Sequence, residues 1–187
     1  MTQISETGLE DRRLGRDGAP EAVSRSSDVV AFLTQVSLFK EFNVTDLEDL
    51  AARLREQPLM RGQVLFREGE PGEEMFFVRH GSIIISKAVT ERAEEVLMRM
   101  GPAQFFGEMS LFDQAPRSAT VRAESDTLLL ALHREDFRRF VAASPRIAAA
   151  FFRAYGEAVV ERLRGTNNLV AEARWGLEAT GLEMSVR

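Results

Sequence analysis

The sequence contains no cysteine and only two histidines, His80 and His133, among its 187 residues. Without cysteine there is no disulfide and no thiolate ligand for a metal ion. The two histidines stand far apart in the chain, whereas a metal-dependent enzyme built on facing strands needs clustered histidines and carboxylates. No pair of nucleophile and general base stands out either. We therefore predict a protein that is not an enzyme and that holds no metal and no other cofactor.

The sequence also lacks long apolar runs and an excess of positive charge. No apolar stretch approaches the ~18 residues that cross a bilayer, and the N-terminus shows no signal-peptide pattern. Acidic residues outnumber basic ones by 29 to 24, which gives a formal net charge of −5. A chain of this charge is not broadly attracted to nucleic acid or to an anionic membrane. The sequence predicts a cytoplasmic protein that binds neither of them.

The remaining composition, 44% hydrophobic and 28% charged, is typical of a soluble globular domain with tails. Residues 1–27 carry glycines, serines and mixed charges, and we expect them to form a flexible tail. Helical spacing of apolar residues begins near Asp28. Thr45-Asp46-Leu47-Glu48 matches a capping box and predicts a helix over about 45–56.

Between residues 58 and 133 the spacing of apolar residues becomes strand-like. Short apolar segments alternate with glycine-containing turns every 8–12 residues or so, a pattern typical of a sandwich or barrel. The predicted strands lie around Val64–Phe66, Met75–Phe77, Ile83–Ile85, Val96–Met100, Ala119–Ala123 and Leu128–Leu132. We predict a mainly β fold with flanking α-helices: an antiparallel double-sheet jelly roll, which leaves few exposed strand edges.

Helical spacing returns after the predicted roll, over about 134–165. Ser144-Pro145 is an N-cap followed by proline at the first helical position. From there one long amphipathic helix is predicted to about Arg164, with Gly165 as its stop. The domain is expected to span residues 28–168, and residues 169–187 to form a tail that could continue as a weak helix.

The most informative segment is residues 106–120, Phe-Gly-Glu-Met-Ser-Leu-Phe-Asp-Gln-Ala-Pro-Arg-Ser-Ala-Thr, which we call the cassette. Its Gly107-Glu108 step opens a short helix, and a helix N-terminus presents free N–H groups that suit an anion. Arg117 adds a fork of donors that matches two phosphate oxygens. Glu108 only accepts hydrogen bonds when ionised, so it suits a sugar hydroxyl. The cassette therefore predicts a site for a nucleotide monophosphate.

The order of helix, glycine-punctuated roll, cassette and long helix resembles the cyclic nucleotide-binding domain. That family is shared by catabolite activator proteins, protein kinase A regulatory subunits and cyclic nucleotide-gated channels. The resemblance covers about residues 28–168. It includes two further segments that resemble the family's strand-turn pattern: Phe66-Arg67-Glu68-Gly69-Glu70-Pro71-Gly72 and Met75-Phe76-Phe77-Val78-Arg79-His80-Gly81. The resemblance implies a 3′,5′-cyclic purine nucleotide, cAMP or cGMP, as the ligand.

The resemblance also implies roles for individual residues. Glu108 would accept the ribose 2′-OH, and Arg117 would hold the cyclic phosphate. Ser118 would serve the phosphate or a guanine amino group, so the sequence does not separate cAMP from cGMP. Gly107 would let the backbone approach the sugar, and Arg162 matches a position that reaches the base in some channel domains. The full predicted ligand-binding set is Phe106, Gly107, Glu108, Met109, Ser110, Arg117, Ser118, Ala119, Thr120, Ile85, Met98, Met100 and Arg162.

Simpler interpretations compete for several of these residues. Glu108 could cap its own helix, Arg117 could form a surface ion pair, and Arg162 could point to solvent. Three apolar residues that flank the purine by resemblance are also spaced like ordinary core: Ile85, Met98 and Met100.

The resemblance implies a receptor that relays ligand binding to a partner protein by movement of the long helix. The sequence does not name that partner, and self-association as a homodimer is a further expectation. Only about 22 residues follow Gly165, too few for a helix-turn-helix domain that binds DNA. The alternative is a protein-interaction module of the same fold that binds no cyclic mononucleotide, or that binds a cyclic dinucleotide.

Overall fold

The structure is a computed structural model that describes residues 19–90, 93–113 and 115–179, with side chains described for 26–90, 93–113 and 115–165. Helices flank two layers of β-sheet. The helices are α1 (Ala19–Leu33), α2 (Val44–Ala51), α3 (Met109–Phe112), α4 (Arg134–Ala142) and α5 (Pro145–Ala179), with a 3₁₀ turn at Ser37–Phe39. The strands are β1 (Arg55–Leu59), β2 (Val64–Phe66), β3 (Glu74–His80), β4 (Ile83–Thr90), β5 (Ala93–Met100), β6 (Phe105–Phe106), β7 (Thr120–Ala123) and β8 (Thr127–His133).

The strands form two four-stranded antiparallel sheets, with the orders β1-β8-β3-β6 and β2-β7-β4-β5. This confirms the predicted double-sheet roll. Strand β1 lies at a sheet edge, where it pairs with β8 from Arg55↔Ala131 to Leu59↔Thr127. Its sequence, which contains Pro58, does not alternate in a strand-like way, and proline is tolerated in a strand mainly at such an edge.

The middle of β3 is buried on both of its faces. Met75 and Phe77 belong to a core shared with the helices, whereas Phe76 and Val78 belong to the core between the sheets. Successive strand residues point to opposite faces, so a strand between two cores reads as an unbroken apolar run. The helices therefore pack on the outside of the first sheet, and the interior of the roll stays a separate core.

The start of the domain differs from the sequence prediction. Helix α1 begins at Ala19, so residues 19–27, which the composition assigned to a tail, are helical. Pro20 lies in the first turn, where its missing N–H costs nothing. Residues 1–18 lie outside the described residues.

The second helix is capped by a different pair of residues than predicted. The Asn43 side chain accepts from the Asp46 N–H at 2.9 Å, and the Asp46 carboxylate accepts from the Asn43 N–H at 3.0 Å. The helix runs from Val44 to Ala51, not over 45–56, because the chain turns into β1 at Arg55. The prediction of a capping box at Thr45 was wrong by two positions.

Helix α5 begins at Pro145, as predicted, but continues to Ala179. The expected stop at Gly165 is therefore wrong, and the helix continues into the segment after residue 168, which the sequence allowed as a weak helix. The domain end near residue 168 stays a prediction. A glycine inside a helix costs about 1 kcal/mol relative to alanine, which a long helix tolerates. Residues 180–187 lie outside the described residues. Among the helices that the structure describes, none is long and apolar enough to cross a membrane.

Candidate functional site

A cavity of about 760 Å³ opens between the second sheet, the cassette and α5. Its volume lies within the range of small-molecule sites, about 300–1,000 Å³. Of the predicted ligand-binding residues, all but Thr120 line it: Phe106, Gly107, Glu108, Met109, Ser110, Arg117, Ser118, Ala119, Ile85, Met98, Met100 and Arg162. Thr120 instead points to the neighbouring turn, where its hydroxyl accepts from the Glu68 N–H at 3.0 Å.

Arg117 is buried at the inner end of the cavity, and only 6% of its surface is exposed. Its Nη1 donates to the carbonyl oxygens of Glu74 at 2.9 Å and Gly107 at 3.1 Å, and to Ser110 Oγ at 3.1 Å. These three are the hydrogen bonds that described residues accept from Arg117, and all of them use one nitrogen. The interpretation of Arg117 as a surface ion-pair former is wrong, because its partners are two carbonyls and a hydroxyl.

Aromatic rings surround the rest of the guanidinium. The Cζ atom of Arg117 lies 4.0 Å from the ring centre of Phe66 and 5.6 Å from that of Phe76. Such contacts hold a cation without neutralising it. Burial lowers the pKa of Arg117, Glu74 raises it and Arg134 lowers it; an arginine nevertheless stays charged at any ordinary pH. The inner end of the cavity is therefore a fixed positive charge in an apolar wall.

Two glycines make room for Arg117. A Cβ atom at Gly72 would lie 2.5 Å from the Arg117 Nε and 2.7 Å from Ser110 Oγ. A Cβ atom at Gly107 would lie 2.8 Å from Arg117 Nη1, and Gly107 also adopts φ = +73°, which favours glycine. In the structure Gly107 makes room for the arginine, and its role beside the sugar stays a prediction.

Glu108 stands at the start of α3 and is largely buried. Within the described residues its side chain makes no cap bond to that helix. Its Oε1 accepts instead from Nη1 of Arg162 at 2.9 Å. Arg162 comes from α5, and it also donates from Nη2 to the carbonyl of Phe105 at 2.5 Å and lies over the Phe105 ring. Arg162 therefore joins the long helix to the cassette, and is not simply solvated.

Met109 and Ser118 are exposed cassette residues on the cavity wall. The Ser118 hydroxyl approaches the Met109 sulfur at 3.8 Å and is exposed. Ile85 and Met98 face each other across β4 and β5 and pack on the core between the sheets, as does the buried Met100. These three residues thus serve as core and as cavity wall at once, which unites the two interpretations of their spacing.

Several lining residues were missed by sequence reasoning: Phe66, Lys87, Glu95, Val96, Leu97, Pro116 and Val121. Lys87 is two residues after Ile85 on β4, so strand alternation alone could have placed it beside Ile85. Glu95 pairs with Lys87 through a register shift between Ile85 and Ser86, which alternation does not predict. Phe66 was predicted as a strand residue and as part of a strand-turn pattern, and no local signal connects it with Arg117. Among the described residues, no group of three or more His, Cys, Asp or Glu residues could hold a metal ion.

Comparisons with known proteins place this geometry in a family. The profile of the cyclic nucleotide-binding domain matches residues 56–144. A cyclic nucleotide-gated potassium channel of Mesorhizobium japonicum is 40% identical over 116 residues, which are 62% of this chain and 31% of that protein. A CRP-like cAMP-activated global transcriptional regulator of Mycobacterium tuberculosis is 29% identical over 140 residues, 75% of this chain and 61% of the regulator. The chain thus spans about one third to three fifths of the length of these relatives.

One solved structure is similar to this chain over almost its own entire length. The N-terminal domain of a transcriptional regulator from Streptomyces coelicolor superposes with a TM-score of 0.62 at 34% identity, covering 74% of this chain and 94% of that domain. This match adds to the cassette geometry described above. From these matches and that geometry together, the chain belongs to the cyclic nucleotide-binding domain family.

Proposed function

We propose that this chain is a non-enzymatic receptor for a cyclic purine nucleotide, cAMP or cGMP, and that it relays binding to a partner protein through α5. The observation that carries the proposal is the arrangement of Arg117 and Glu108, a buried cation and a buried carboxylate that line one largely apolar cavity. A cyclic nucleotide combines an anion, a sugar hydroxyl and an apolar base plane, and each part has a counterpart in the cavity.

The phosphate suits the inner end of the cavity. Arg117 is held there through Nη1, so the rest of its donor fork is not used by described residues. A planar guanidinium binds two phosphate oxygens at once. Ser118 follows Arg117 directly and lines the same wall. The purine would then lie against the apolar side chains of β4 and β5.

The ribose suits Glu108, whose carboxylate accepts hydrogen bonds only. That carboxylate is already paired with Arg162 of α5 at 2.9 Å. A bound ribose must therefore share Glu108 with Arg162 or replace it, and either change alters what holds α5. A ligand shifts an equilibrium between helix positions only as far as its affinities for the two positions differ.

The existing Glu108–Arg162 pair also supports a second candidate, since it satisfies the carboxylate without any ligand. This candidate is a protein-interaction module that binds no cyclic mononucleotide, or a receptor for a cyclic dinucleotide. A thermal-shift screen with cAMP, cGMP and cyclic di-GMP separates the candidates, because a ligand stabilises the protein that binds it. We expect cAMP or cGMP to raise the melting temperature. Stabilisation by cyclic di-GMP alone, or by none of the three, would favour the second candidate.

The cellular setting of the receptor remains part of the proposal. We propose a cytoplasmic location, no contact with nucleic acid or membrane, and either a partner protein or a second copy of this chain as the reader of α5. Some relatives are named as channels and others as transcriptional regulators. Sedimentation with and without ligand tests self-association, and a pull-down from cytosolic extract in both states tests the partner.

A further inference from the structure

A second buried arginine lies behind the cassette, outside the cavity wall. Arg134 is the first residue of α4, and its side chain is 9% exposed. It does not line the cavity, and the proposed function gives it no part. Burying a guanidinium is costly unless its hydrogen bonds are satisfied, so its partners indicate what it does.

The partners of Arg134 are two backbone carbonyls from separate segments. Its Nε and Nη2 donate to the Ser110 carbonyl at 2.9 and 2.5 Å, and Nη2 also donates to the Gly72 carbonyl at 2.7 Å. Ser110 lies in the four-residue helix α3, where the Asp113 N–H bonds to the Met109 carbonyl and the Ser110 carbonyl accepts from Arg134. The closest carboxylate, from the exposed Glu73, stands 3.9 Å away. The main contacts of Arg134 are therefore with two backbone segments, and its ion pair with Glu73 is the longer contact.

The same two residues flank Arg117. Ser110 Oγ accepts from Arg117 Nη1 at 3.1 Å. Gly72 faces the other part of the guanidinium, since a Cβ atom there would lie 2.5 Å from Nε and 2.6 Å from Cζ. The space that Arg117 occupies is therefore bounded by the two segments that Arg134 ties together. A change in their separation of a few tenths of an ångström would change where the donor fork points.

We infer that Arg134 is a positioning residue for the nucleotide phosphate, which it serves by fixing the gap between Gly72 and Ser110 in which Arg117 is seated. The inference rests on the proposed function, because it names how that site is organised. Arg134 does not line the cavity, so it would not touch a ligand bound there. Its effect on affinity must therefore pass through Arg117, and this separates it from a residue that only stabilises the fold.

A double-mutant cycle tests that dependence. The variants are R134K, R117K and R134K/R117K, with R138K as a matched control on the exposed face of α4, where Arg138 contacts Glu135. Lysine keeps the positive charge but cannot bridge two carbonyls with a planar fork. Affinity for cAMP and cGMP is measured by calorimetry on the folded protein, and the melting temperature of each variant is recorded beside it.

We expect R134K to weaken nucleotide binding at least tenfold and R117K to weaken it about a hundredfold. The double variant should bind no more than threefold more weakly than R117K, and R138K should bind like the wild type. The inference would be overturned if the losses of affinity of the two single variants multiply in the double variant. It would also be overturned if R134K has a lower melting temperature and an unchanged affinity. If the wild type binds neither nucleotide, the proposed function fails and this inference with it. Wild-type binding that R134K leaves intact overturns the inference alone.

Discussion

The two walls of the cavity are held in different ways. The cassette wall rests on buried charge, because Arg117 and Arg134 bond to backbone carbonyls and to Ser110 away from water. The α5 wall is tied by ion pairs nearer the surface. The side chain of Arg162 is 28% exposed in its pair with Glu108. Buried, geometrically fixed bonds are costly to break, whereas exposed pairs contribute about 0–1 kcal/mol each. The molecule thus combines a preformed cassette wall with a helix that is buried near its start, at Ile147 and Phe151, and less firmly held where it reaches the cavity.

Further ion pairs on α5 follow the same pattern. Lys40 contacts Glu157 at 2.5 Å, and Arg153 contacts Glu41 at 3.4 Å, with all four side chains substantially exposed. The hydrogen bond from Lys40 lowers the pKa of Glu157, and Glu157 raises the pKa of Lys40. Such exposed ion pairs hold the helix in one position, and little free energy is needed to break them when the helix moves. If the contrast between the walls is correct, changes to the cassette wall should alter affinity most, and changes on α5 should alter the response.

The largest effect is expected from removal of the fixed charge. Arg117→Ala should weaken binding of the preferred cyclic nucleotide by about 3–5 kcal/mol, because a desolvated phosphate loses its partner. This corresponds to a loss of roughly a hundred- to several-thousand-fold. Calorimetry measures it directly. Arg122 of β7 forms an exposed ion pair with Glu94 of β5. Arg122→Ala is therefore the matched control and should bind the nucleotide normally. Unchanged affinity in Arg117→Ala would refute the phosphate role.

A smaller effect is expected when the arginine stays but its space is reduced. Gly72→Ala places a methyl group against the Arg117 guanidinium, and the end of that flexible side chain must move. We expect affinity to fall about tenfold to a hundredfold, since a misplaced donor fork no longer matches the phosphate. The melting temperature should change by only a few degrees. Gly101→Ala is the control, because nothing lies within 4 Å of its Cβ position. If Gly72→Ala binds the nucleotide as tightly as Gly101→Ala does, the cassette wall is not rigid, and the contrast between the two walls is wrong.

The smallest effect on affinity is expected on the α5 wall. Arg162→Gln removes the ion pair with Glu108 and also a cation that lines the cavity. If ribose and Arg162 share Glu108, binding should weaken about threefold to tenfold, within the range of charge-assisted hydrogen bonds near a surface. The response of the helix should change more. In wild-type protein we expect ligand to alter hydrogen exchange of α5 amides, and in Arg162→Gln this difference should shrink. Arg164→Gln, on the exposed side of α5, should retain both properties. An unaltered exchange response in Arg162→Gln would contradict a relay through this pair.

Much of the fold could be predicted because its signals are local. Short strands between glycine turns predicted the roll, and Ser144-Pro145 predicted the start of α5. The cassette predicted its own short helix and eight of the nineteen residues that line the cavity, since residues 106–119 are continuous in the chain. The start of α1 was missed because composition was given more weight than Pro20. Gly165 was misread because glycine ends a helix only where the chain also turns away.

The organisation of the site could not be predicted because its contacts are distant in sequence. Arg134 bonds to Gly72 across 62 positions, and Arg117 bonds to Glu74 across 43. Spacing rules relate residues within one helix or one strand and contain no information on such pairs. Gly72 was noted only as the end of a turn. Because it has no side chain, however, it leaves the space that Arg117 occupies. The residue types of the site were readable from the sequence; the residues that hold them in place were not.

The uninterrupted helix through Gly165 has a mechanical consequence. Helix α5 continues for 17 residues beyond Arg162, from residue 162 to residue 179, and at 1.5 Å per residue this is a lever arm of about 25 Å. A tilt of about 5° at the cassette would displace the far end by about 2 Å, a change comparable to the helix shifts that operate switches at subunit interfaces. The length of this arm would therefore turn a small tilt at Arg162 into a larger displacement at residue 179.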